Sequence, residues 1–296
     1  MTTDRPDVSF VVSTLGPAEL MHPLLDSLAG VADHVALELI VCDQSVDQQV
    51  EAVLAKDDRP FAWRVTRSAR GLSRGRNAAL PLARGQIVAF PDDDLRYPPG
   101  VVEHVVGRLQ REPELDGLAI ALSESDDGPP SVLRFPDREV EVTPGNILLT
   151  VISCGLFLRR RVTTLIGPFD EQLGAGSGTR WGAGEETDYV LRGLSMGASL
   201  RFDPTVCTVH HDKALPAAEA RAKARRYGEG IGLALRRHGV AATRIAHLAA
   251  RRGAKVALLA ARGRFDDSRT AGAWGVGLVA GYLRPGPDPS PAPQTS

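Results

Sequence analysis

Cysteine is scarce in this chain. The three present (Cys42, Cys154 and Cys207) are widely spaced, each in an apolar, strand-like setting. That pattern excludes a disulfide scaffold and a thiolate zinc site, and reads as reduced core thiols in a cytosolic protein. Long apolar runs are missing as well: no stretch reaches the roughly 18 residues that a membrane-spanning helix requires. The first residues, MTTDRPDVSF, lack the basic-then-apolar pattern of a secretory signal, so none is expected. The glycine-rich residues 173–184 lack the GxxxxGKS or GxxxxGKT spacing with its lysine, which excludes a P-loop. No internal repeat is present, and no nucleic-acid-binding motif accompanies the basic residues, so nucleic acid is not an expected partner.

At 296 residues and 43% hydrophobic content, the chain can bury a full core as one large domain, or one domain with an appendage. Its net charge of −1 conceals an asymmetry. Residues 1–212 carry 20 Lys+Arg against 31 Asp+Glu, a balance of −11, whereas residues 213–296 carry 15 against 5, a balance of +10. An acidic body, 1–212, followed by a basic helical extension, 213–284, is the expected division. The last stretch, 285–296 (PGPDPSPAPQTS), is Pro-rich and expected to be disordered.

Strand and helix patterns alternate along the body. Residues 8–13 (VSFVVS), 37–42 (LELIVC), 61–66 and 87–90 read as strands. Helices are expected near 18–28, 48–55 and 100–109, and a short one is capped by Ser73 and ended by Pro81. Alternation at this spacing predicts an α/β fold with a mostly parallel sheet and right-handed crossovers. Residues 118–158 are less regular and are expected to add antiparallel strands, notably 151–158. A helix starts near Glu185, and residues 200–209 return to the sheet.

The most informative run is QIVAFPDDD, residues 86–94. A β-branched apolar strand leads into Asp92, Asp93 and Asp94, placing negative charge at the carboxyl edge of the sheet, where open α/β folds bind ligands. In an extended chain Asp92 and Asp94 point the same way and can share one divalent ion. A second acidic group, Glu185, Glu186 and Asp188 in GAGEETDYVLR, opens a helix. Glu185 and Asp188, three apart, share one face of it. The preceding LGAGSGTRWGAG is flexible enough to close over a ligand, and its lone Trp181 offers an apolar face.

The order VSFVVST, LIVCDQS, GLSRGRNAAL with ARGQIVAFPDDD, FDEQLGAGSGTRWGAGEETDYVLR and VHH resembles the family 2 glycosyltransferases of GT-A fold, over roughly residues 7–212. The resemblance implies that Asp92 and Asp94 hold Mg²⁺ or Mn²⁺ against a nucleotide diphosphate, with Asp93 the variable middle residue on the donor side. It places Asp43 near the nucleobase and ribose, and Gln44 where a second acid is usual. Thr14 would meet the nucleotide, as would Arg74, Arg76 and Asn77 on the short helix, and a guanidinium suits phosphate. Glu186 maps onto the base, with Glu185 and Asp188 beside it and Gly184 and Trp181 on the acceptor side. His210 or His211 would complete the metal site.

The implied reaction is inverting sugar transfer from a nucleotide-diphosphate donor to a carbohydrate or lipid-linked acceptor, as in bacterial-type polysaccharide or glycolipid assembly. A sugar nucleotidyltransferase or a non-catalytic nucleotide-sugar-binding protein are the alternatives. The first usually carries a basic Gly-rich loop after its opening strand, which TLGPAELMHP does not provide. The basic extension, with an amphipathic stretch over 242–261 and an apolar segment around Trp274, suggests peripheral contact with an anionic membrane on its cytoplasmic face.

Overall fold

The computed structural model describes residues 5–56, 59–125, 135–210, 215–284 and 286. The Pro-rich 285–296 expectation therefore falls, but for Gly286, outside the described residues. Two compact units are present. One comprises the described residues up to Arg70, then Arg74–Pro168, then 193–210; the other comprises Gly71–Ser73, Phe169–Arg192 and the described residues from 215 onward. Residues 169–192, read from sequence as part of the body, thus cluster with the C-terminal helices.

The elements run β1 (Val8–Thr14), α1 (His22–Val31), β2 (Leu37–Asp43), α2 (Val50–Ala55), β3 (Ala62–Thr66), α3 (Leu72–Ala79), β4 (Ile87–Ala89), β5 (Leu95–Arg96), α4 (Val101–Arg111) and β6 (Gly117–Ser123). Then follow β7 (Val140–Glu141), α5 (Ile147–Thr150), β8 (Leu156–Arg159), α6 (Arg160–Ile166), α7 (Glu185–Ser195), β9 (Leu200–His210), α8 (Ala217–Arg237), α9 (Ala242–Ala261) and α10 (Phe265–Leu283).

The first unit is built on one mixed sheet of order β3-β2-β1-β4-β8-β6-β9-β5, with β7 added on β9. Strands β3, β2, β1 and β4 run parallel. β1 and β2 are buried along nearly their whole length, as strands of a parallel sheet covered on both faces are. β8 is antiparallel to both β4 and β6, which it joins, as the irregular middle of the sequence suggested. It is shorter than expected, because residues 153–155 form a 3-10 turn before it. Beneath the carboxyl edge Phe10, Tyr97 and Phe157 pack ring against ring, with Phe10 5.5 Å from Tyr97 and 6.5 Å from Phe157. Cys42 and Cys154 are buried and Cys207 half-buried, all as free thiols.

Register decides where the functional edge lies. Thr14 pairs with Asp43, so both stand at the carboxyl ends of their strands. β4 stops at Ala89, opposite Phe10, so the chain has left the sheet before its acidic triplet.

In the second unit, helices α8 and α10 meet backbone to backbone. A Cβ on Gly228 would lie 2.2 Å from the Trp274 carbonyl oxygen, and one on Gly232 2.2 Å from that of Leu278. Reciprocally, a Cβ on Gly277 would lie 2.2 Å from the Arg225 oxygen, and one on Gly281 2.0 Å from that of Glu229. Glycine in mid-helix costs about 1 kcal/mol relative to alanine, and here the close approach requires it. α9 closes the array: Ile245 and Leu259 are buried, and the Arg252 guanidinium sits 4.1 Å over the Trp274 ring.

Candidate active site

The carboxyl edge of the parallel strands gathers Thr14, Asp43 and the 92–94 triplet. Asp43 is buried at the end of β2. Its Oδ1 accepts from the Ser45 amide at 2.9 Å and the Ser45 hydroxyl at 2.6 Å. Its Oδ2 is buried and receives no hydrogen bond among the described residues. A buried acceptor without a donor is costly, and a ligand N–H or hydroxyl would satisfy it. Gln44, standing where an acid is usual, donates its amide to Ser68 Oγ at 2.8 Å and the Ala69 carbonyl at 2.7 Å. It holds the loop after β3.

Asp93 and Asp94 lie in a turn rather than in an extended strand. The alternation argument for Asp92 and Asp94 therefore does not apply; the chain turns at Asp93 and Asp94, and those two side chains take different partners. The Thr14 hydroxyl donates to Asp93 Oδ2 and itself accepts from the Gly16 amide at 3.0 Å. Burial pushes the Asp93 carboxyl above its usual range; Thr14 opposes this, and the charges of Asp94 and Asp92 add to it. Asp94 Oδ1 lies 2.8 Å from His210 Nε2 at the end of β9. His211 falls outside the described residues.

These groups suit a hard divalent ion: carboxylate oxygens with one imidazole, in a crowded negative field. Among the described residues no three His, Cys, Asp or Glu side chains converge as a preformed cage. Mg²⁺ is commonly held by one or two carboxylates plus substrate phosphates, and the Asp94–His210 pair with its acidic neighbours fits that pattern.

Helix α3 presents its basic residues in two ways. Arg76 is buried, donates to Ser153 Oγ, and stacks 5.8 Å over Phe90. Arg74 is half-buried and donates to the Arg70 carbonyl at 2.9 Å, and Asn77 is half-buried too. Gly75 permits this packing, since a Cβ there would lie 2.3 Å from Ser13 Oγ. Ser73 does not cap α3 as expected. It lies inside the helix, and its hydroxyl reaches away to the Leu173 carbonyl at 2.8 Å.

The second acidic group belongs to the other unit. Glu185 and Asp188 are buried in the first turns of α7, and Glu186 is half-buried. Asp188 uses both oxygens, Oδ1 with His238 Nε2 at 2.9 Å and Oδ2 with Arg192 Nε at 3.0 Å. Burial alone would raise its carboxyl, but the His238 hydrogen bond and the Arg192 charge bring it below the usual range. Gly184, at φ +92°, accepts the Asp188 amide at 2.8 Å and abuts Gly230, where a Cβ would meet backbone at 2.8 Å.

The glycine-rich loop is anchored rather than loose. Its Leu173 and Ala175 carbonyls accept from Ser73 and from the Leu72 amide, and Gly174 bonds Trp181 across the loop at 2.9 Å. Trp181 is buried with Leu173 and Leu233, so its ring supports the loop from beneath instead of presenting an open face. Arg180 grips Glu229 with two bonds of 2.7 and 2.6 Å. Sequence reasoning missed Glu229, Arg237 and His238. The signal available was the alternate-residue YGEGIG in α8, glycines too dense for a helix unless another backbone lies against them.

The parallel half-sheet, its antiparallel continuation through β8 and the acidic turn after β4 together define a GT-A fold. Solved structures of that fold agree. The mannosyltransferase PcManGT from Pyrobaculum calidifontis, in complex with GDP-Man and Mn²⁺, aligns at TM-score 0.62 and 21% identity, covering 94% of this chain and 86% of that one. TarS 1–349 of S. aureus in complex with UDP-GlcNAc aligns at TM-score 0.58 and 17% identity, covering 90% of each. The profile of glycosyl transferase family 2 matches residues 9–164, just over half of the chain. The chain belongs to that family. A pre-mycofactocin glycosyltransferase of Mycobacterium tuberculosis is 25% identical over 215 residues, 69% of this chain; the match spans only 42% of that relative's length.

Proposed function

We propose that this protein transfers a sugar from a nucleotide-diphosphate donor to an acceptor hydroxyl with inversion at the anomeric carbon, using Mg²⁺ or Mn²⁺. The observation that carries the reading is the buried, donor-seeking Asp43 at the same sheet edge as the 92–94 carboxylates. Asp43 accepts from the nucleobase or ribose; Thr14, Asp93, Arg74 and Asn77 line the donor side. Asp92, Asp94 and His210 hold the ion, with His211 as the alternative imidazole. When bound, the cation supplies Lewis-acid neutralisation of the departing diphosphate. Glu186 takes the proton of the acceptor hydroxyl as its oxygen bonds to the anomeric carbon. The bond from that carbon to the diphosphate oxygen breaks on the opposite face. Asp188, with both oxygens engaged, is poorly placed to receive that proton, and Glu185 flanks the base. Neighbours crystallised with GDP-Man and UDP-GlcNAc support the donor class. Turnover of a nucleotide-sugar panel with the divalent ion, read as nucleoside diphosphate released, tests the reading. Inactivity across the panel would contradict it.

The acceptor class we infer is carbohydrate or lipid-linked, in polysaccharide or glycolipid assembly, reached at the cytoplasmic membrane face. Among the described residues no helix is long and apolar enough to cross a membrane. The apolar stripe expected to rest on lipid is partly consumed by packing, since Ile245 and Leu259 point inward. Val276 and Leu283 of α10 stay exposed, and so do the two residues flanking the turn between α9 and α10, Leu258 at 50% and Phe265 at 61%, with Arg262, Arg264 and Arg269 also exposed there. Asp266 and Asp267 offset part of that charge through Arg269 and Arg264. Each basic residue near an anionic surface contributes about 1 kcal/mol. The protein is expected to co-sediment with phosphatidylglycerol-containing vesicles but not with pure phosphatidylcholine, and to be released by salt. Replacing Leu258 and Phe265 by Ser should weaken pelleting severalfold. Equal, negligible pelleting on both vesicle types would remove membrane contact from the account.

A further inference from the structure

We propose that α8, which lies beyond the family match, is the positioning element of the acidic helix α7, and that His238 orients α7 by holding Asp188. This deepens the assignment of Glu186 as base and rests on it.

Asp188 sits one turn behind Glu185, buried, with two partners. The Arg192 bond to Asp188 lies within α7 itself, so that bond does not tie the helix to another element. His238 stands at the end of α8, 50 residues on, with a side chain only 16% exposed. An ionised carboxylate only accepts, so Nε2–H of His238 donates to Oδ1. The same helix grips the segment leading into α7 at further points. Glu229 takes both nitrogens of Arg180, and Arg237 reaches Asp170 Oδ2 at 2.6 Å. The Arg226 carbonyl accepts the Gly182 amide at 3.2 Å. Gly230 lets the backbones touch: a Cβ there would lie 1.9 Å from the Ala183 oxygen. Glu229 and Asp170 are both buried, so these ion pairs have defined geometry rather than the looseness of surface pairs. A proton-accepting carboxylate needs placement within a fraction of an ångström, and a displacement of about 1 Å can cost roughly 100-fold in rate. The first turn of α7 carries that carboxylate, and α8 is what holds the turn.

His238→Ala and His238→Gln test this, since the glutamine amide can donate from nearly the same position. For His238→Ala the expected result is donor affinity within about twofold of wild type by calorimetry, with kcat lowered about tenfold to 100-fold. Hydrogen exchange in the peptide spanning α7 should rise. His238→Gln should recover most of both. An unchanged kcat and unchanged α7 protection in folded His238→Ala would overturn the proposal. So would a fall in melting temperature with normal kcat per donor-binding site, which marks a purely structural tie. The exchange measurement needs no turnover, so a protein inactive on every donor would sink the functional reading while α7 protection still judged the role of α8.

Discussion

Asp94→Ala is expected to abolish metal-dependent binding of nucleoside diphosphate while leaving the protein folded. In wild type, added Mn²⁺ should tighten diphosphate binding, and a chelator should reverse the gain. In the variant the affinity should fall by about 100-fold or more, because even outer partners of metal ligands are typically worth 10–100-fold. His210 would lose the carboxylate it meets at 2.8 Å. The fold has little reason to suffer: Asp94 follows the end of β4, and its removal relieves the crowding that Asp93 feels from its neighbours. Calorimetry with and without chelator decides. Unchanged, chelator-insensitive affinity in Asp94→Ala would remove the metal assignment.

Glu186→Gln is expected to bind donor normally and to transfer about 10²–10⁴-fold more slowly, since the amide keeps size and hydrogen bonding but cannot take a proton. Asp188→Asn should behave differently. It disturbs the bonds to His238 and Arg192, so its loss should come with weakened α7 packing and partial activity. Single-turnover rates at saturating donor separate the two. Normal transfer by Glu186→Gln with an inactive Asp188→Asn would exchange their roles.

The parallel half of the fold was legible in the sequence because β1, β2 and β4 are short and rich in Val, Ile and Leu, as strands covered by helices are. The carboxyl-edge position of Asp43 followed directly from the end of its strand. The route of the chain through residues 91–94 was not legible: whether a strand continues past Phe90 depends on its neighbours in the sheet, and β4 pairs only through Ala89. The glycine loop read as mobile, because glycine density is the same for a lid and for a segment pressed onto another backbone. Only the partner, here Gly230 and its flanking residues, tells them apart. The inward side of α9 was equally hidden, since alanines on its outer face blur the polar boundary that a stripe needs.

The central claim, that a sugar leaves its nucleotide with inverted configuration, is most directly tested by proton NMR of the donor-hydrolysis reaction in Mg²⁺. The account predicts nucleoside diphosphate together with free sugar whose first-formed anomer is opposite to that of the donor, seen before mutarotation. A first-formed anomer with the donor's configuration, or cleavage that leaves the sugar phosphorylated, would contradict it.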